Sequence, residues 1–580
     1  MKTYNIYKIF IIAVLMLLLF GCQGQKKSKK DKLASTPQQE QFDKTIGELV
    51  EAFAFNPIPV KGIGLVVGLS GTGSSECPPA VRDYLRQFIL AQVGQKRTVD
   101  PDTLINSKDT AVVLVEGFIP PAAVPQDSFD VRVQALPNTE TTSLEGGRLY
   151  TTDLKLVSRV EEAITTSKTL ALAAGTVYID NVAPAKPDQR TGYVLGGGKV
   201  LQEHQIVLAI LTPDFRTAAV IRDRINARFD RDTANAASES IIYLNLPEKF
   251  KERKIRFIEL VRALYIGKTA QSENNHINEL IEKLKSAPPA VSSSNPAEEK
   301  DKAEIGLEAV GKPVVARLLP LLESQDSLTK FIAARCLFNI GDDRALKYLR
   351  DFAQDSTSPF RIAAIKAIGE TAEKQDVIAI MGRLVGDSDF NTRYTAYKYL
   401  AKYNDSSIIQ TAVAQDFYID QVIQMSPKTV FVSRKDEPRI VLFGAPIECE
   451  KDIFIESDDG YIIINSLPED PNHISVMRKH PITGELMGPL KTSYKLADVI
   501  KFLGSEPSPE NDKERVGLGI PYSQIAELLK KMCEKGAVKA EFIAGPLTPL
   551  AQLPQQQTQP KLPQPQPKKP APSKEIIKRQ

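Results

Sequence analysis

The 580-residue chain contains no tryptophan, so it lacks the aromatic side chain that most often anchors sugars. Histidine is nearly absent: His204, His276, His473 and His480 are the only four. His473 and His480 flank Met477, but a metal site needs a third ligand at a recognisable spacing and none follows. Beyond Cys22, the cysteines are Cys77, Cys336, Cys449 and Cys533, far apart and never in a C-x-x-C pair; they read as free, mostly buried thiols. Neither sign of charge dominates, with 74 Lys+Arg against 71 Asp+Glu. A nucleic-acid partner, which demands a strongly basic face, is therefore not expected. Catalytic signatures are missing too: there is no G-x-S-x-G elbow and no H-E-x-x-H pair. Gly306 to Lys312 has P-loop spacing, yet Pro313 stands where the magnesium-binding hydroxyl belongs, and Gly267-Lys268-Thr269 lacks its first glycine because Arg262 occupies that position. No catalytic residue, cofactor or metal is expected, and the chain reads as something other than an enzyme.

Lys2 and Lys8 precede a twelve-residue apolar run, 9–20, too short for a spanning helix of ~20 residues but apt for the apolar core of a signal peptide. The run ends in Leu19-Phe20-Gly21-Cys22, which resembles the lipobox of bacterial lipoproteins. That resemblance implies cleavage after Gly21 and lipidation of Cys22, with Gln23 directing the product to the outer membrane. The competing reading is an uncleaved anchor with an incidental cysteine. Residues 22–44 are polar and aperiodic and read as a disordered tether.

Length alone predicts about three to five domains. Residues 45–268 mix strand and helix signals. Phe129, Val131, Val133 and Ala135 alternate as a half-buried strand should. Asp214 reads as an N-cap for a helix whose stripe is Ala218, Ile221, Ile225 and Phe229. Residues 269–298 read as a helix and linker. In 299–407, Lys330-Phe-Ile-Ala-Ala-Arg-Cys-Leu337 matches Arg361-Ile-Ala-Ala-Ile-Lys-Ala-Ile368 and Arg393-Tyr-Thr-Ala-Tyr-Lys-Tyr-Leu400, spaced 31 and 32 residues apart. That period resembles HEAT-like repeats and predicts an all-α solenoid, a recognition surface or spacer more often than an active site. Residues 408–504 turn β-rich, with Asp459-Gly460 as a hairpin turn. A small helical or mixed unit, 505–546, precedes a Pro/Gln/Lys-rich disordered tail, 547–580. The fold class is thus multidomain: α/β, then all-α, then β-rich, then tail.

The densest motif is Val60-Lys-Gly-Ile-Gly-Leu-Val-Val-Gly-Leu-Ser-Gly-Thr-Gly73, a strand opened and closed by glycines. It resembles the signature of the flagellar P-ring protein family, in which Tyr usually stands where this chain has Ile63. Further stretches agree in order: Phe118-Ile-Pro-Pro-Ala with 127–133, Ser143-Leu-Glu-Gly-Gly-Arg-Leu149, and the Thr-Pro-Asp-Phe-Arg-Thr-Ala segment followed by Arg-Ile-Asn-Ala-Arg-Phe within 208–229. The resemblance covers roughly 45–268. It marks Gly62, Gly64, Gly68, Gly71, Gly73, Gly146, Gly147, Asp214 and Asn226 as signature positions, which read as core and turn residues.

The resemblance implies a ring subunit in the periplasm, many copies closing head-to-tail around the flagellar rod within the basal body. Its implied partners are other copies of itself, the rod and outer-membrane ring proteins, with the membrane reached through the lipid and peptidoglycan within reach of the tail. The chain departs from the family in its Cys22 anchor, its helical repeats and its tail. These support an alternative, a lipoprotein scaffold of a non-flagellar envelope complex that docks partners on the repeats. A third reading, an envelope enzyme, would place its site in 408–504.

Overall fold

Strand Ile58–Val67 runs next to Thr110–Ile119 in an uninterrupted antiparallel register from Ile58↔Ile119 to Val67↔Thr110. From there the sheet continues through Ser128–Ala135, Thr191–Val200, Thr169–Thr176 and Arg148–Leu156, and the last strand returns to pair with Ile58–Val67. The result is a closed six-stranded barrel, which leaves no free sheet edge. Val60, Val113, Val115, Val131, Val133, Leu149, Leu154 and Ala173 fill its core. The computed structural model describes residues 43–53, 56–93, 100–156, 168–267, 269–285, 296–414, 416–423, 427–467, 469–479, 484–506 and 517–548. The signal segment, Cys22, the tether as far as residue 42 and most of the Pro/Gln/Lys-rich tail lie outside these residues, as do Lys268 and His480, whereas Lys44, expected in the disordered tether, is in a strand.

Beside the barrel, Val50–Phe53, Ile206–Ile210, Ile241–Leu244 and Ala234–Ala236 form a four-stranded antiparallel sheet in that order. Helices Phe215–Arg228 and Lys254–Ala263 bury their apolar stripes in the same core as this sheet, where Phe229, Phe250 and Phe257 meet with ring centroids 5.1–5.6 Å apart. A two-residue clasp, Lys44–Thr45 against Tyr265–Ile266, brings the start of this region to its end.

The middle region is helical. Helices Ala270–Lys285, Pro296–Val310, Ser327–Ile340, Leu346–Gln354, Arg361–Thr371, Lys374–Leu384 and Phe390–Lys402 share one core. Helix Ala270–Lys285, within the 269–298 segment expected as a helix and linker, contributes Ile277, Leu280, Ile281 and Leu284 to that core. The three repeated segments lie on Ser327–Ile340, Arg361–Thr371 and Phe390–Lys402, which pack in succession across buried Ala333, Ala334, Ala364 and Ala396. Alanine recurs there because helix axes 8–10 Å apart leave little room for a larger side chain. The basic residue that opens the last two repeats also has a job. Arg361 donates to the Ala353 carbonyl at 3.0 Å and pairs with Asp387, and Arg393 donates to the Asp387 and Ser388 carbonyls at 2.8 Å. Each satisfies chain-turn oxygens that the helices leave without a partner.

The C-terminal region holds a five-stranded mixed sheet ordered Ile408–Val413, Phe417–Ile423, Arg439–Ala445, Thr429–Val432, Glu541–Ala544, and a four-stranded antiparallel sheet built from Phe454–Glu456, Ile462–Leu467, Asp470–Lys479 and Leu486–Ser493. Gly460, at φ +72°, turns the hairpin between the first two strands of the smaller sheet. Helices Leu496–Gly504 and Tyr522–Glu534 share the core of both sheets. Strand Glu541–Ala544 joins the larger sheet in parallel with Thr429–Val432, so the stretch read as a separate small unit completes this region.

Candidate functional site

The signature glycines fall into two physical kinds. Gly62 and Gly64 sit where Ile58–Val67 meets Arg148–Leu156 to close the barrel, at a register shift in that pairing. A Cβ on Gly62 would lie 2.2 Å from the Asp153 carbonyl oxygen, and one on Gly64 2.2 Å from Thr152 Oγ1. Gly73 is as confined, with the Thr110 carbonyl oxygen 2.1 Å from where a Cβ would stand, and Gly147 would press on Val66 Cγ1 at 2.4 Å. Gly68, Gly71 and Gly146 face open or ordinary contact distances, but their φ angles of +79°, +77° and +74° are left-handed and suit only glycine without strain.

Two of the motifs interlock. Thr72, between the last two glycines, donates its hydroxyl to the Ser143 carbonyl at 2.9 Å, and the Thr142 amide donates to the Thr72 carbonyl at 2.8 Å. The Gly71 amide donates to Asp109 Oδ1 at 3.0 Å. The G-T-G turn and the S-L-E-G-G turn are therefore one buttress at one end of the barrel.

The remaining signature residues act in the neighbouring sheet. Asp214 caps helix Phe215–Arg228, accepting from the Thr217 amide at 2.8 Å and its hydroxyl at 2.7 Å. The hydroxyl bond and then the amide bond hold the Asp214 carboxyl below its usual range. Asn226 clasps the edge strand, donating to the Ala234 carbonyl at 3.0 Å and accepting from the Ala234 amide at 2.7 Å. The structure thus groups the glycine turns at the barrel and holds Asp214 and Asn226 apart on one helix.

The C-terminal region is docked on this barrel. Asp130, 5 % exposed, accepts from the amides of Gly196 (2.7 Å) and Asp436 (3.0 Å) and from the Thr548 hydroxyl, so one carboxylate ties two barrel strands to two C-terminal segments. Burial pushes its carboxyl upward against these donors. Asp180 pairs with Arg434 at 2.9 Å, and Arg434 donates on to the Gly545 carbonyl at 2.5 Å. Tyr178, Val182 and Leu195 of the barrel region belong to the same buried cluster as Phe417, Tyr522 and Leu529. Next to Gly146 stands Pro521, 3.7 Å from where a Cβ would be, and Glu145 accepts from Ser523 at 3.3 Å. The sequence alone gives no role to Asp130, because it falls on the polar phase of the strand between Phe129 and Val131, where an acid reads as solvated.

Other candidates separate. His473 bonds Asp470 at 2.9 Å on an exposed strand. Among the described residues no group of three His, Cys, Asp or Glu side chains could hold a metal ion. Gly306 lies inside helix Pro296–Val310 and packs on Leu280, which is no phosphate loop. Cys336 and Cys449 are buried, Cys77 and Cys533 partly so. No helix among the described residues is long and apolar enough to cross a membrane.

Residues 45–280 match the family model described as Flagellar P-ring protein, so the barrel and its neighbouring sheet form a domain of that family. Similar proteins include a flagellar P-ring protein of Campylobacter lari, 30% identical over 244 residues, which span 40% of this chain and 66% of the relative. That of Thermotoga maritima is 31% identical over 221 residues (35% and 61%), and that of Nitrosospira multiformis 28% over 237 (38% and 59%). The chain spans about three fifths to two thirds of the length of these curated relatives.

Proposed function

We propose, taking a P-ring family domain over residues 45–280 as the premise, that this chain is a structural subunit of a flagellar basal body P-ring or P-ring-like assembly around the rod in the periplasm. The observation that carries the reading is that two motifs inside the matched range, 60–73 and 143–149, are bound to each other at one end of a closed barrel. Motif residues engaged in packing and turns suit a building block whose work is surface complementarity, copy against copy, closing head-to-tail into a ring. No step of chemistry is required of it. The lipobox-like Leu19-Phe20-Gly21-Cys22 supports an acyl anchor on Cys22 that fastens the assembly to the outer membrane. The period of the three repeated segments supports a HEAT-like solenoid as a spacer.

A second reading has its own support. Because Tyr178, Val182 and Leu195 of the barrel region are buried in the C-terminal core, the P-ring-like domain here is one part of a larger body, which suits a lipoprotein scaffold of a different envelope complex. Isolating basal bodies and scoring motility of a deletion strain separates the two. Co-purification as a ring around the rod, with motility lost in the deletion, upholds the flagellar reading. Absence from basal bodies with motility intact overturns it in favour of the scaffold.

A further inference from the structure

The sixth residue of each repeated segment is basic: Arg335, Lys366 and Lys398. Because the three helices pack in succession, these positions recur along one flank of the stack, about 8–10 Å from one to the next. Their circumstances differ. Arg335 is engaged, donating through Nε to Glu304 at 2.6 Å in a two-point ion pair. For Lys366 and Lys398, no carboxylate among the described residues lies within the 4.0 Å of an ion pair. Lys435 of the five-stranded sheet is in the same position. Burial, then the charges of Lys366 and Lys435, lower the ammonium pKa of Lys398, while Asp436 and Glu370 offset them only in part.

Two cavities lie along this line. One, about 760 Å³, is lined by Arg253, Arg256, Arg335 and Lys366 together with Glu259, Asp301, Glu304 and Glu370. Two of its cations are paired, Arg256 with Glu308 and Arg335 with Glu304, while Lys366 has only the longer-range charge of Glu370. The other, about 350 Å³, opens between helix Phe390–Lys402 and the five-stranded sheet, with Lys398 and Lys435 on the wall beside Tyr394, Tyr397 and Phe431. Of its other charged residues, Arg439 is paired with Asp420 and Glu437, and Lys402 with Glu252 at 3.3 Å. Asp436 is the acid left facing the two lysines. Cation excess with aromatic walls is concentrated in the smaller cavity and at Lys366 leading to it.

We propose that this flank is a docking groove for an extended acidic segment of a partner protein, with acidic side chains on Lys366, Lys398 and Lys435 and an aromatic residue beside Tyr394. Charge complementarity names the occupant. The chain's own ends are excluded by the same reasoning: residues 22–42 carry five lysines against two acids, and 549–580 carry five lysines and one arginine against one acid. A polyproline II segment brings every third side chain back to one face at about 3.1 Å per residue, so cations about 8–10 Å apart call for acids three residues apart.

The probe is a fluorescein-labelled decapeptide with glutamate at every third position and a tyrosine beside each, titrated with the full chain by fluorescence anisotropy. The expected result is saturable binding that weakens as salt rises, because the exposed ammonium groups are screened within about 8 Å at physiological ionic strength. The K366E/K398E variant loses about tenfold or more, K366R/K398R retains binding, and a glutamine version of the peptide does not bind. Absence of binding, equal binding by K366E/K398E, or displacement of the peptide by inorganic polyphosphate at equal charge overturns the proposal, the last by exposing an unspecific polyanion site. K330E, at the first position of its repeat, is the charge control and leaves affinity unchanged. Motility plays no part in this measurement, so its outcome is independent of the flagellar reading.

Discussion

One added methyl group distinguishes the two kinds of signature glycine. In Gly62→Ala the new Cβ meets a backbone carbonyl at 2.2 Å, and neither strand of the seam can yield without opening the barrel. The expected cost is about 3 kcal/mol, at the upper end for overpacking, read as a lowered urea midpoint at unchanged slope. In Gly71→Ala there is open space, and only the left-handed backbone opposes the change, at about 1–2 kcal/mol. Equal losses in the two variants would disprove the distinction. A second residue-scale effect concerns Glu527, on helix Tyr522–Glu534. Burial, with the Asp458 charge next and Glu145 and Asp459 adding to it, pushes its carboxyl up to about 7 from an ordinary 4.5. A group that holds its proton more tightly folded than unfolded contributes most below its unfolded pKa, and that contribution is lost as pH rises through the folded value. Glu527→Gln is therefore expected to raise Tm at pH 8 relative to the parent, with the gap closing below about pH 4.5. A gap independent of pH would refute the assignment.

At the scale of elements, the last two repeated helices depend on the arginine that opens their repeat. Arg361→Ala leaves the half-buried Asp387 without its cation and the Ala353 carbonyl without its donor, and is expected to cost about 3 kcal/mol, with Arg361→Lys recovering part of it. Chemical denaturation followed by helical circular dichroism measures both; a loss below about 0.5 kcal/mol would mean the arginine is ornamental. Such elements were the legible part of the chain. The stripe of Ala218, Ile221, Ile225 and Phe229, the cap at Asp214 and the Asp459-Gly460 turn are written in spacings of two to four residues, which local physics sets. Barrel closure was not legible, because the pairing of Val60 with Leu156 joins residues far apart in sequence, and nothing local to either announces it. Asp130 was missed for the same reason, since its donors come from Gly196, Asp436 and Thr548.

Across the whole molecule, the barrel and the C-terminal region are expected to unfold as one unit, since Tyr178, Val182 and Leu195 are buried in the C-terminal core. The Asp180–Arg434 pair reports on that coupling. A double-mutant cycle with Asp180→Ala and Arg434→Ala is expected to give an interaction energy of about 1–3 kcal/mol, since both side chains are largely buried where the regions meet. Additive losses would mean that the regions lie together without supporting each other.

The clasp of Lys44–Thr45 on Tyr265–Ile266 also sets how the molecule carries mechanical load. Any pull arriving along the preceding chain is received beside the residues that lead into helix Ala270–Lys285, some 220 residues later in sequence. Tension would act first on two strand pairs, then on the Ile46 amide held by the Leu264 carbonyl at 2.9 Å, and next on Val50–Phe53 against Ile206–Ile210. The barrel seam is in none of these links. A tug on the leading segment is thus routed toward the helical stack, and the glycine-sealed cylinder bears none of it until the neighbouring sheet has peeled.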